Sequence, residues 1–159
     1  MLDPFNPEGS TASVNFTTSK KDRWQPHPDR SQINWIILDS GWEAQLAQAI
    51  EAHPRTLAYA KNHNLGLEIP YLREGERRQY RPDYLVRLRD GPTLILEVKG
   101  FRGHDAALKA ATVRDKWVPA VNRLGRFGRW AFAEMRDPFT MAAELDRLIA
   151  KHAEEKALV

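Results

Sequence analysis

Apolar residues recur at helical spacing in three segments of the chain. In the first segment, Trp42, Leu46 and Ile50 share one helix face, and Pro54 marks the place where the helix ends. In the second segment, the residues expected to face the core are Leu108, Ala111, Trp117 and Val121. The three predicted helices cover residues 39–53, 105–122 and 138–157.

Short apolar runs bounded by turn-forming residues predict the strands. The strongest turn signal is the dipeptide Asp90-Gly91, which joins two such runs into a hairpin. The polar stretch 73–79 is predicted to be a loop. The predicted strands cover residues 33–38, 56–61, 65–71, 80–87, 93–99 and 129–135. The order is helix, three or four strands, helix, strand and helix, which indicates an α/β fold.

The first 30 residues differ from the rest in composition. They contain four prolines and no sustained apolar period, so we predict an extended N-terminal arm over 1–30 with one short strand at 13–18. Residues 31–159 are enough for one domain with a core of its own. The tryptophans expected in that core are Trp35, Trp42 and Trp130.

Composition narrows the class of protein. Hydrophobic residues make up 42% of the chain and charged residues 28%, a balance typical of soluble globular proteins. No apolar run approaches the roughly 20 residues needed to cross a bilayer, and the N-terminus lacks the pattern of a signal peptide. There are no cysteines, which excludes disulfides and thiolate zinc sites. We therefore expect a cytoplasmic protein with no membrane contact.

The hairpin centred on Asp90-Gly91 carries the candidate chemistry. Residues alternate faces along a strand, so Glu97 and Lys99 are expected on one face. If Arg87 pairs with Thr93 across the loop 88–92, antiparallel register brings Asp83 opposite Glu97. Two carboxylates and one ammonium group would then meet at one point, which is unusual in a segment that otherwise looks buried.

Two explanations fit such a trio. Carboxylates can hold Mg²⁺, with Mn²⁺ as a substitute, and a bound metal with a nearby lysine suits hydrolysis of phosphodiester bonds. The alternative is a cross-strand salt bridge between Lys99 and either Asp83 or Glu97. Between Arg102 and Arg136 the chain carries eight basic and three acidic residues, which favours contact with a polyanion but also fits a solvated helix face.

The residues of this hairpin resemble a known family. Pro82-Asp83, Glu97 and Lys99, with the apolar strand between them and Gly100 after them, are similar to the motif of PD-(D/E)XK, or restriction-endonuclease-like, nucleases. The resemblance implies a restriction-endonuclease-like core with a mixed sheet, followed here by a C-terminal helix. It also implies a Mg²⁺-dependent endonuclease that cleaves DNA.

A broader resemblance covers roughly residues 31–137. This region looks like the C-terminal nuclease region of restriction subunits from type III-like systems, in which an ATP-driven motor precedes the nuclease. The chain has no phosphate-binding loop of the G-x-x-x-x-G-K-[ST] type, so ATP dependence cannot be carried over. A helicase-type restriction subunit and a second copy of the chain are the implied partners. The alternatives are a DNA-repair or junction nuclease, and a non-catalytic DNA-binding or interaction module that keeps the fold.

The resemblance also suggests further metal ligands. An acidic residue of the first helix completes the metal site in several nucleases of this kind, and Glu43 matches that position. The main-chain carbonyl of Val98 is another candidate ligand. However, Ser40-Gly41-Trp42-Glu43 also fits a capping box, in which Glu43 would bond the amide of Ser40. Both roles stay open for Glu43.

Four basic residues are candidates for DNA contact. Arg81 and Arg102 flank the motif in the sequence. Lys109 and Lys116 lie two helical turns apart on one face, where they would meet phosphate or belong to an ordinary amphipathic helix. His104 is either a base or a surface residue at a helix start.

Overall fold

The computed structural model describes residue 5 and residues 7–38, 41–98, 105–136 and 139–154. Within these residues the chain forms a mixed α/β fold. The helices are α1 (Gly41–Ala52), α2 (Ala106–Thr112), α3 (Val118–Leu124) and α4 (Met141–Glu154). The strands are β1 (Arg23–Trp24), β2 (Ile36–Ile37), β3 (Thr56–Lys61), β4 (Ile69–Arg73), β5 (Glu76–Tyr80), β6 (Tyr84–Leu88), β7 (Thr93–Val98) and β8 (Trp130–Met135).

A four-stranded mixed sheet organises the molecule. Its strand order is β3-β6-β7-β8, with antiparallel pairing except between β7 and β8, which run parallel. Arg87 pairs with Thr93 as predicted from the loop length. The helical segment that follows β7 provides the long crossover that a parallel pair requires. The prediction of an α/β fold with a mixed sheet is therefore confirmed.

Each face of this sheet has its own hydrophobic core. Leu94 and Leu96 of β7 face one way and pack with residues of α1 and α4, such as Leu46 and Leu145. Ile95 faces the other way and packs with the helical segment after β7. Because both faces of β7 are covered, its sequence is an almost continuous apolar run and not a simple alternation.

A second hairpin extends from the core where the sequence predicted a loop. Strands β4 and β5 pair in full register around Glu74-Gly75, whose φ angles are 53° and 82°. Positive φ angles at both central residues are what a type I′ hairpin turn of two residues needs. The loop prediction for 73–79 was wrong because four of the five β5 side chains are exposed and polar, which leaves no apolar alternation to detect. The predicted strand 65–71 is also shifted, since β4 begins at Ile69.

The helical segment after β7 changes its geometry in the middle. Between α2 and α3 lies one π-helical turn, Val113–Trp117. Pro119 explains this turn, because proline has no N–H to donate and its ring crowds the carbonyl four residues earlier. Trp117 and Val121 are buried as predicted, whereas Leu108 is 40% exposed and does not belong to the core.

The described residues before α1 form little regular structure. One turn of 3-10 helix spans Thr11–Ser13, and β1 pairs with β2. The predicted strand at 13–18 was wrong, since 14–18 carry no regular secondary structure. Trp130 is buried, but Trp35 and Trp42 are 38% and 41% exposed, so their predicted place in the core was also wrong. Among the described helices, none combines the length and apolar character needed to cross a membrane.

Candidate active site

Asp83 and Glu97 meet where β6 begins and β7 ends. The N–H of Asp83 donates to Oε2 of Glu97 at 3.3 Å, and the N–H of Val98 donates to Oδ2 of Asp83 at 2.8 Å. The strand register accounts for this contact, because Tyr84 pairs with Leu96 and the next residues outward are Asp83 and Glu97. The structure therefore brings the two predicted carboxylates together.

Burial and nearby negative charge raise the pKa of both carboxyl groups. The pKa of Glu97 rises to about 8, first because burial disfavours the charged form and next because the charge of Asp83 is close. Burial also raises the pKa of Asp83, and the charge of Glu43 adds to this, while the hydrogen bond from Val98 opposes it. Two such groups hold negative charge poorly unless a cation is present.

Tyr80 orients Glu97. The hydroxyl of Tyr80 donates to Oε2 of Glu97, the oxygen that also accepts from Asp83. Tyr80 is buried, and its pKa is raised by burial and then by the charge of Glu97, so the hydroxyl keeps its proton and remains a donor. In the described parts of the chain, hydrogen bonds reach one oxygen of each carboxylate, which leaves Oδ1 of Asp83 and Oε1 of Glu97 as acceptors.

Glu43 lies near this pair but is engaged by a lysine. Nζ of Lys61 stands 2.6 Å from Oε2 of Glu43 and also donates to the carbonyl of Ile37 at 2.6 Å. Lys61 is only 6% exposed, so this is a buried ion pair. Ser40, the proposed capping partner of Glu43, lies outside the described residues. The structure therefore adds a third role to the two predicted for Glu43, that of counter-ion to Lys61.

The carboxylate pair fits a hard divalent cation. Mg²⁺ prefers oxygen ligands and is commonly held by one or two carboxylates together with water and substrate phosphate. Two adjacent acids with raised pKa values and one available oxygen each offer that ligand set. Across the described ranges, no group of three or more acidic or histidine side chains is arranged around one metal position. The metal-binding roles of Glu43 and of the Val98 carbonyl stay predictions.

Three of the sequence candidates lie outside the described residues, namely Lys99, Arg102 and His104. Of the other DNA-binding candidates, Arg81 forms an ion pair with Glu68. Lys109 stands 3.4 Å from Asp105, and Lys116 is exposed. Two of the predicted DNA contacts therefore already have acidic partners.

Three residues of the site were not foreseen from the sequence. Lys61 had a detectable signal, since it shares the inward face of β3 with Tyr59 at a spacing of two. Tyr80 was predicted to begin the first strand of the hairpin centred on Asp90-Gly91, but in the structure it is the last residue of β5. Glu134 pairs with Glu97 across the parallel strands β7 and β8, and that register cannot be inferred from local sequence.

The chain was compared with protein families, curated proteins and solved structures, and no relative was found. No protein-family model matches the chain, and no curated protein or solved structure shows significant similarity to it.

Proposed function

We propose that this protein is a metal-dependent endonuclease that hydrolyses DNA phosphodiester bonds through a site built on Asp83 and Glu97. The observation that carries the proposal is the proximity of these two acids at the end of β7, where the main-chain N–H of Asp83 donates to the carboxylate of Glu97 and both carboxyl groups have raised pKa values. The order α1, β3, β6, β7, α2–α3 and β8 supports the finer proposal that the fold is a restriction-endonuclease-like core.

The main chain and Tyr80 prepare the pair for this role. Val98 fixes one oxygen of Asp83, while Tyr80 and the amide of Asp83 fix one oxygen of Glu97. The remaining oxygens can hold Mg²⁺ or Mn²⁺, which when bound polarises a phosphate oxygen and lowers the pKa of water. Because the pKa of Glu97 is about 8, the metal-free pair retains a proton near neutral pH, which it would lose if a divalent cation were bound.

Lys99 is proposed to act in the chemical step. It follows Glu97 by two positions in the sequence, and a cation there would stabilise charge that grows on the phosphate in the transition state. Lys61 supplies a second positive charge near the pair, but it is committed to Glu43. A restriction-type motor subunit and a second copy of this chain are proposed partners, as the resemblance implies.

Incubation of supercoiled plasmid with the protein and Mg²⁺ or Mn²⁺, with EDTA as control, tests the proposal. Nicked or linear product that forms only with metal is expected. The variant Lys99→Ala should cleave about 100-fold more slowly while its metal affinity is unchanged or slightly higher, because a like charge has been removed. Wild-type nicking by Lys99→Ala would refute the role of the lysine. A wild-type protein that cleaves with neither metal would refute the nuclease proposal.

A further inference from the structure

Five arginines gather at the end of the central sheet opposite the carboxylate pair. Arg87 pairs with Thr93, Thr93 pairs with Trp130, and the N–H of Thr93 donates to the carbonyl of Arg129 at 2.8 Å. These contacts form a row across β6, β7 and β8. The arginine end, as we call it, comprises Arg55, Arg87, Arg89, Arg126 and Arg129.

Among the described residues, the arginine end carries more arginines than acidic side chains, with Asp90 next to Arg89 in the hairpin turn. In the described part of the chain, none of its five guanidinium groups lies within 4.0 Å of a carboxylate. Arg87, Arg126 and Arg129 are also exposed. Of the described basic residues near the carboxylate pair, Arg81 and Lys109 both have acidic partners. Among the described residues, the arginine end is therefore a concentration of basic side chains that is separate from the candidate active site.

A cleft of about 870 Å³ opens at the arginine end. The basic residues that line it are Arg30, Arg87, Arg126 and Arg129, against the two acids Glu8 and Asp29. The side chain of Asp29 is 84% exposed and lies beside His27. Leu85, Phe127 and Trp130 give the cleft an apolar floor, and the guanidinium of Arg126 stacks on the ring of Phe127 at 4.6 Å.

The spread of these charges favours a polymer of phosphates over a single one. Neighbouring strands lie about 4.8 Å apart, so the row from Arg87 on β6 to Arg129 at β8 spans about 10 Å. The five guanidinium groups of the arginine end are more than the oxygens of one phosphate can engage through paired hydrogen bonds. Arginine binds phosphate through two parallel hydrogen bonds and stacks on flat groups, and both properties suit a nucleic-acid strand.

We propose that the arginine end is a second nucleic-acid-binding surface, which holds the phosphate backbone of DNA away from the site of hydrolysis. Along β7, Thr93 and Glu97 are four residues apart, or about 13 Å. A DNA segment held at the arginine end is thus a different part of the strand from the phosphate at Asp83 and Glu97. The inference rests on the proposed function only for the choice of DNA as the ligand.

Binding of a fluorescein-labelled 30-base-pair duplex, measured by anisotropy in EDTA at several salt concentrations, tests the inference without any cleavage. The variant Arg126→Gln/Arg129→Gln removes two charges from exposed positions. We expect about tenfold weaker binding and a slope of log K against log salt that is smaller by about 1.8, since each phosphate contact contributes about 0.9. The matched control Arg147→Gln/Lys151→Gln, on exposed positions of α4, should bind as the wild type does.

The inference would be overturned by no binding of duplex by the wild type, by wild-type affinity and slope for Arg126→Gln/Arg129→Gln, or by an equal loss in the α4 control. Loss of binding only in Arg77→Gln/Arg78→Gln, at the hairpin near the carboxylates, would also overturn it. Failure of the nuclease proposal gives a different result. If the protein binds duplex through the arginine end but never cleaves plasmid, the inference stands and the proposed activity is refuted.

Discussion

Glu97 shows how one residue connects strand pairing with chemistry. Its position at the end of β7 follows from an apolar strand that both cores bury, and its carboxylate is then fixed by Tyr80 and by the amide of Asp83. Burial next to a second acid raises its pKa to about 8. A side chain in this environment reduces the stability of the metal-free protein whenever it is ionised.

This environment predicts how the stability of the metal-free protein depends on pH. Between about pH 4.5 and about pH 8, unfolded Glu97 is ionised while folded Glu97 keeps its proton, so the folded state binds more protons and stability falls as pH rises. Urea unfolding in EDTA should show this decline for the wild type and a smaller decline for Glu97→Gln, which cannot ionise. Identical pH dependence of the two proteins would contradict the account.

The buried pair of Lys61 and Glu43 predicts a second effect at this scale. Lys61→Met should lower the free energy of unfolding by about 3 kcal/mol, because Glu43 would lose its counter-ion in a buried place. The double variant Lys61→Met/Glu43→Gln should recover most of that loss. Urea titration of the wild type, the single variant and the double variant measures the three free energies of unfolding. A double variant that is no more stable than Lys61→Met would show that the two residues are not coupled.

The helices and strands differ in how far the sequence predicted them. The turn and register of the β6–β7 hairpin were predicted correctly because Asp90-Gly91 marks the turn and an apolar strand follows, but β6 begins at Tyr84 and not at the predicted Tyr80. Helix α1 and strands β3 and β8 were also predicted, because their apolar residues make them detectable in the sequence. The hairpin of β4 and β5 was missed, because its pairing is main-chain hydrogen bonding with polar side chains outside.

The turn of that hairpin gives a prediction at the scale of the element. Gly75 has φ of 82° and no atom within 4 Å of an added Cβ, so Gly75→Ala should lower stability by about 1 kcal/mol through backbone strain alone. The control is Gly41→Ala in α1, where there is equal space and no positive φ, and stability should not fall. Thermal unfolding compares the two. An unchanged melting temperature for Gly75→Ala would contradict the turn geometry.

At the scale of the whole molecule, the sequence indicated the carboxylate pair but not the distribution of charge around it. Asp83 and Glu97 could be placed together because one loop length fixes their register. The partners of Arg81 and Lys109, and the row that joins Arg87 to Arg129, depend on tertiary contacts between distant segments. A net charge of +3 contains no information on this arrangement.

The most direct measurement of the central claim is the rate at which Asp83→Asn cleaves supercoiled plasmid in Mg²⁺, compared with wild type and with Asp115→Asn. Asp115 is an exposed acid that pairs with Arg114, so its replacement removes the same charge away from the site. We expect Asp83→Asn to cleave at least about 100-fold more slowly, since it loses an oxygen that we propose as a metal ligand, and Asp115→Asn to cleave as the wild type does. Cleavage by a folded Asp83→Asn at the wild-type rate would contradict a metal site at Asp83 and Glu97.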